Sequence, residues 1–287
     1  ITPSPSRKTD LAEIIRHGMP EYTMSFGSVP AKIRKVTEHI CTCKTTALGG
    51  HVYQCDNCKT KRISYNSCRD RHCPKCQGVA RAVWVDKRIS ELLPVGYFHV
   101  VFTLPDSFNG IRLNMKKPFY DILYRSVSET LLTLGKDSRW LGGTIGFMGI
   151  LHTWGQQLLE HPHLHCIIPG GGIRLDGKKW VQFRKDYLFP VEVMSRLFRG
   201  KFLDYFSNAV KNKQLYFPET NMPDGLDAFI KLQRQKNWVV YAKEPFGSAE
   251  QVVKYLGRYT HRIAISNNRL VSYEEDRVTF KWKDYAD

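Results

Sequence analysis

The chain has 287 residues, 42% hydrophobic and 12% aromatic, enough for a buried core and too apolar for a disordered tail. A formal net charge of +16 and a pI near 9.5 make an anion the natural electrostatic partner, and Lys and Arg interleaved with Tyr, Phe and Trp favour nucleic acid. Signal-peptide patterning and any apolar run long enough to span a bilayer are absent from this stretch, which predicts a cytoplasmic protein with no membrane partner.

Residues 1–19 read as a basic, Pro- and Ser-containing arm passing into a short amphipathic helix near Leu11 to His17. Helical periodicity returns from about Pro30 to Ile40. Seven of the eight cysteines then fall between Cys41 and Cys76, among His39, His51 and His72. That density in a reducing compartment points to zinc and not to disulfides.

Cys55-Asp56-Asn57-Cys58 and Cys73-Pro74-Lys75-Cys76 are two CxxC knuckles, each able to hold two thiolates at tetrahedral bite distance. Joined through a hairpin over Lys61 to Asn66, they form a four-sulfur zinc site, with Cys43, His51, Cys68 and His72 left for a second ion. A competing pairing puts Cys43, His51, Cys55 and Cys58 on one zinc and Cys68, His72, Cys73 and Cys76 on the other. Spacing does not choose between them. Cys41 and His39 read as bystanders, and Cys166 as core. Lys59, Lys61, Arg62, Arg69, Arg71 and Lys75 crowd the same hairpin and suit a phosphate backbone.

A helix from Gly78 to about Leu93, apolar along Val79, Val83, Val85, Ile89 and Leu92, is expected to bridge two domains. Phe98 to Leu104 reads as a buried strand, and Lys117 to Leu134 as a long helix with Phe119, Ile122, Leu123, Val127 and Leu131 inside. Strands follow around Gly146 to Gln156 and His163 to Ile168.

The second of these carries His161-Pro162-His163-Leu164-His165 before Gly170-Gly171-Gly172. Alternation puts the three imidazoles on one face, a ready metal clip. Pro162 cannot donate to a ladder, so the strand is expected to begin at His163, which favours His163 and His165 as the ligand pair. If the two strands pair as a hairpin, Gln156 supplies a third, neutral oxygen ligand to a hard divalent ion, with His152 and Gln157 as rivals.

Further elements are a strand near Trp180 to Arg184, a helix from Val191 to Val210, a strand from Asn237 to Ala242 and a helix from Ala249 to His261. On the last, Tyr255 and Tyr259 are four residues apart and share a face, flanked by Lys254, Arg258 and Arg262. A phenol attacking phosphorus needs such cations nearby. The order of elements predicts an α+β fold with a mostly antiparallel sheet.

These segments resemble the rolling-circle transposases of the insertion sequence 91 group, two-tyrosine HUH endonucleases. Thr45 to His51, Tyr65 to Cys76, Leu151 to Gln156, His161 to Gly172 and Tyr255 to Ile265 carry the resemblance. It implies a central antiparallel sheet with flanking helices, as in replication initiators and relaxases, behind a zinc-ribbon-like domain. Residues 1–92 would form the arm, zinc domain and bridging helix, and residues 93–287 the nuclease domain, continuing beyond Asp287. His163 and His165 would bind Mg²⁺ or Mn²⁺ with a third polar ligand. Tyr255 and Tyr259 would be nucleophiles that nick single-stranded or hairpin DNA at element ends through a 5′-phosphotyrosine, with unwinding recruited from a host helicase near the bacterial nucleoid. The opposing reading is a non-catalytic zinc-ribbon DNA-binding protein.

Overall fold

The computed structural model describes residues 9–111, 115–155, 157–183, 188–243, 249–257 and 263–282. In chain order the elements are α1 Leu11–Phe26, α2 Ala31–Thr42, β1 Gly50–Gln54, β2 Lys61–Tyr65, α3 Gln77–Ser90, β3 Tyr97–Thr103, α4 Lys116–Lys136, β4 Gly143–Thr144 and β5 Met148–Trp154. They continue with β6 Glu160–Pro169, β7 Gly171–Arg174, β8 Trp180–Gln182, α5 Val191–Lys211, α6 Leu226–Gln235, β9 Val240–Lys243, α7 Ala249–Leu256, β10 Leu270–Glu274 and β11 Arg277–Phe280. This is the expected α+β fold. Among the described residues no helix is long and apolar enough to cross a membrane.

The chain divides into two compact units. One comprises Ile1–Lys87, Gln156–Leu158 and Gly257–Asp287, the other Arg88–Gly155 and Leu159–Leu256. In the first, the Asp10 carboxylate caps α1 by accepting from the Glu13 N–H and also meets Lys75 Nζ at 2.9 Å, tying the helix to the second CxxC knuckle. α1 runs well past His17 and through Pro20. Its second half exposes Tyr22, Met24 and Phe26, so no buried stripe marks it in the sequence. β1 and β2 form an antiparallel hairpin with every residue exposed. β10 and β11 form another, beside which the Asn267 side chain accepts from the Leu11 N–H and the Tyr273 ring lies against His17. On α3, Val79 and Val83 are exposed where periodicity expected a buried side.

The second unit is built on an antiparallel sheet of order β5-β6-β3-β9. Registers Phe102↔Leu164 and Val100↔Cys166 set one face into a core shared with α4 and α5. That core centres on Phe108, fully buried and ringed by Phe119, Phe202, Phe206, Phe217, Phe229 and Trp238. Cys166 is core, as expected. The opposite face carries every second residue: His99 and Val101 on β3, His163, His165 and Ile167 on β6, Ile150 and His152 on β5.

β6 starts at Glu160, three residues before the expected His163. Pro162 is tolerated because its carbonyl accepts from the Leu104 N–H one residue past the end of β3, so its missing donor faces the end of that ladder; on the other side the β5–β6 ladder shifts register between His152 and Trp154. The triple glycine enters a second, three-stranded sheet, β4-β7-β8. A Cβ at Gly171 would sit 2.3 Å from the Val181 carbonyl oxygen, and one at Gly172 2.5 Å from that of Thr144. Close backbone packing accounts for these two glycines.

Candidate metal centres

The first centre forms where the end of α2 meets the segment after β2. Cys43, Cys68, Cys73 and Cys76 place their sulfurs within 4.8 Å of one another, and the Cys68 and Cys76 sulfurs are 3.7 Å apart. A zinc–sulfur bond of about 2.3 Å gives a tetrahedral edge of about 3.8 Å, so the thiols fit Zn²⁺. This set separates the two knuckles, unlike the first sequence pairing, and agrees with the competing one on Cys68, Cys73 and Cys76, but Cys43 stands where that pairing had His72.

Burial pushes the Cys68 thiol up to about 11 and Cys73 higher still. Burial also opposes ionisation of Cys43, but hydrogen bonds from Cys68, Cys73 and Cys76 outweigh it and leave that thiol below its usual value. Packed thiols without a cation cannot all ionise; a bound dication reverses that.

Asp70 supports the centre. Its Oδ1 accepts from the His72 N–H and its Oδ2 lies 3.0 Å from His39 Nδ1, while its own N–H points at the Cys68 sulfur at 3.5 Å. Burial alone would raise the Asp70 carboxyl, and the His72 N–H and the His39 ring outweigh it. His39 is not among the four, as expected of it, but it is a partner of Asp70 in this network.

Cys55 and Cys58 lie between β1 and β2, both exposed, as is His51 on β1. The Thr60 hydroxyl and backbone hold the Cys58 thiol down to about 7. A basic residue with positive φ follows each of Cys43, Cys58 and Cys68: Lys44 at 57°, Lys59 at 58° and Arg69 at 57°. The first knuckle thus shares its turn with two cysteines of the four-sulfur group. Arg71 is exposed, as is Arg69.

The second centre lies on the histidine face of the main sheet. Register pairs His152 with His163, and the ligand nitrogens of His152, His163 and His165 lie within 4.8 Å of one another. His152 Nδ1 is 3.1 Å from His163 Nε2. With metal–nitrogen bonds of about 2.1 Å, an octahedral edge is about 3.0 Å and a tetrahedral edge about 3.4 Å, so the pair fits one divalent ion. His163 Nδ1 donates to the His161 carbonyl at 2.6 Å, which leaves Nε2 with its lone pair exposed to the cluster.

Burial lowers all three imidazoles. His163 falls to about 4, against a small opposing pull from the His161 carbonyl; His152 falls to about 3, helped by the neighbouring rings; His165 falls further. All three are neutral at pH 7, the state a metal requires. His161 is the second residue of β6, partly exposed.

Gln156, expected as third ligand, lies outside the described residues, as do Tyr259, Arg258 and Arg262. Among the described residues His152 is the group brought to the pair. Tyr255 stands on the last turn of α7, 40% exposed, while Val252, Val253 and Leu256 on the same helix are buried. Lys254 is exposed, 3.6 Å from Glu250. One polar residue on this face escaped sequence reasoning: His99, buried in the centre of β3, its pKa lowered by burial. A histidine inside the apolar run from Tyr97 to Phe102 was the available signal.

Residues 146–287 match a family described as "Putative transposase", and residues 14–104 match one described as "Transposase zinc-binding domain". The chain is 48% identical over 280 residues to "Putative transposase y4qJ" of Sinorhizobium fredii, covering 96% of this chain and 70% of that protein. It is 28% identical over 248 residues to "Transposase for insertion sequence element IS801" of Pseudomonas savastanoi pv. phaseolicola, covering 84% of this chain and 58% of that protein. No solved structure matches it.

Proposed function

The chain belongs to the insertion sequence 91 family of transposases, and from that premise we propose that it nicks and rejoins single-stranded DNA through a covalent tyrosine link. The observation that carries this reading is the gathering of His152, His163 and His165 on one sheet face, kept neutral by burial and with their ligand nitrogens within 4.8 Å of one another. In it, His163 and His165 hold a divalent ion, with His152 or Gln156 as the third ligand. Bound there, Mg²⁺ or Mn²⁺ would withdraw charge from a non-bridging oxygen of the scissile phosphate.

The phenol of Tyr255 or Tyr259 loses its proton as its oxygen attacks phosphorus, and the bond from phosphorus to the 3′ oxygen breaks. The leaving oxygen takes up a proton, giving a free 3′-hydroxyl, and the 5′-phosphate stays on the tyrosine. Attack by a 3′-hydroxyl on that ester reverses the step without ATP, since the ester conserves the phosphodiester energy. The second phenol serves the second cleavage or the transfer. Lys254, Arg258 and Arg262 offset the phosphate charge.

Arg69, Arg71 and the β1–β2 hairpin grip the DNA backbone at single-stranded or hairpin element ends, and strand separation comes from a host helicase. Cys43, Cys68, Cys73 and Cys76 carry a structural zinc. A second zinc on Cys55 and Cys58, with His51, would account for the shared turn geometry of the first knuckle.

The test is a covalent adduct on a single-stranded terminal oligonucleotide, resolved on a denaturing gel. It should form with Mg²⁺ or Mn²⁺, vanish with EDTA, and vanish when Tyr255→Phe and Tyr259→Phe are combined. Cleavage that persists without an adduct would mean activated water; salt-sensitive binding without cleavage under any divalent ion would leave a zinc-stabilised DNA-binding protein.

A further inference from the structure

His99 lies beneath the histidine cluster, and the reading above gives it no role. Its Nε2 is 3.0 Å from Nδ1 of His165, and the two rings are inclined by only 8° with centroids 5.2 Å apart. That separation is close to the nitrogen–nitrogen distance plus two ring radii, so the rings meet edge to edge in a shared plane and do not stack. The hydrogen bond therefore runs along the N–H direction of one ring and the lone-pair direction of the other, the strongest alignment available to two imidazoles.

The sheet builds this contact. Val101 stands directly opposite His165 and His99 opposite Ile167, which puts His99 diagonal to His165 on the same face, within reach of a ring. Both histidines are buried, so water does not compete for the bond.

A neutral imidazole has one N–H and one lone pair, and the bond made at one nitrogen decides which the other presents. His163 already has its answer: Nδ1 donates to the His161 carbonyl and Nε2 is left for an ion. We propose that His99 is a positioning residue that does the same for His165, accepting from its Nδ1–H through Nε2 and so holding the His165 Nε2 lone pair toward the ion. The two ligands of the His-Leu-His strand are then fixed by different acceptors, a backbone carbonyl for His163 and a side chain for His165. This inference rests on His163 and His165 being metal ligands.

Two measurements on the full zinc-loaded chain test it. In protein labelled with ¹⁵N-histidine and free of Mg²⁺ and Mn²⁺, the His165 signals, identified by their loss in His165→Gln, should show a protonated Nδ1 and an unprotonated Nε2. A protonated Nε2 in the unmodified chain overturns the proposal without any variant at His99.

The second measurement is Mn²⁺ affinity, by electron paramagnetic resonance. His99→Phe removes the acceptor and should weaken binding about 10- to 100-fold, as loss of such outer contacts does elsewhere. His99→Gln, whose amide oxygen can stand where Nε2 stood, should keep most of the affinity and the His165 tautomer. If His99→Phe binds Mn²⁺ as tightly as the unmodified chain while His163→Ala and His165→Ala do not bind, the role of His99 fails alone. If the unmodified chain does not bind Mn²⁺, the metal reading fails and this role with it. Should His99→Phe fail to fold, the tautomer of the unmodified chain and the His99→Gln affinity still decide.

Discussion

At the scale of single residues, the histidine face is a group of bases kept neutral by burial. His163 is held down to about 4 and His152 to about 3, against about 6.5 in an unfolded chain. The unfolded chain therefore binds protons that the folded one refuses, and stability falls with acid. This contribution is complete above pH 6.5 and is lost as the pH drops through about 4 toward 3. In protein dialysed free of Mg²⁺ and Mn²⁺, the urea midpoint should decline steadily from pH 6.5 to 4.5, and His163→Gln should flatten that decline. An unchanged slope in the variant would mean that another group drives the acid response.

At the scale of elements, the turn from β6 into β7 shows backbone packing where a sequence pattern suggests flexibility. Gly171 and Gly172 face the carbonyls of β8 and β4 at distances no Cβ can occupy, and the nearest obstructing atoms are main chain, which cannot swing aside. Gly171→Ala should cost roughly 1 to 3 kcal/mol, the range for overpacking a tight site, and lower the melting temperature accordingly. A variant as stable as the parent would show that β7 and β8 can part without penalty. The register shift between His152 and Trp154 belongs to the same scale: β6 pairs with β5 on both sides of it, with Glu160 opposite Trp154 and His163 opposite His152.

At the scale of the whole molecule, the two units differ in what stabilises them. The unit from Arg88 holds a large aromatic and aliphatic core around Phe108. The cysteine region has a small one, in which the buried members are Ala12, Ile40, Cys43 and Cys73, two of them thiols of the four-sulfur group. A core that small needs a staple, and metal binding there is folding free energy. Zinc removal with a strong chelator should abolish the cooperative melting of the cysteine region while the main sheet and its helices keep theirs, as read by differential scanning calorimetry and far-UV circular dichroism. Loss of both transitions together would mean that the units do not fold separately.

Much of this was legible before any fold was known. Period-two and helical patterns located β3, β6, α4 and α5, the alternating histidines marked the face on which His163 and His165 gather, and the cysteine density pointed to a zinc-binding region, because each signal lies within a few residues of chain. Three things were decided only by tertiary structure: that Cys43 joins Cys68 and the second CxxC knuckle, that His152 stands across from His163, and that His99 meets His165. Sequence spacing limits which side chains can be neighbours inside one segment. Which distant segments meet, and in what register, is settled by the packing of whole elements, and one residue of slip would turn every histidine on β6 to the other face.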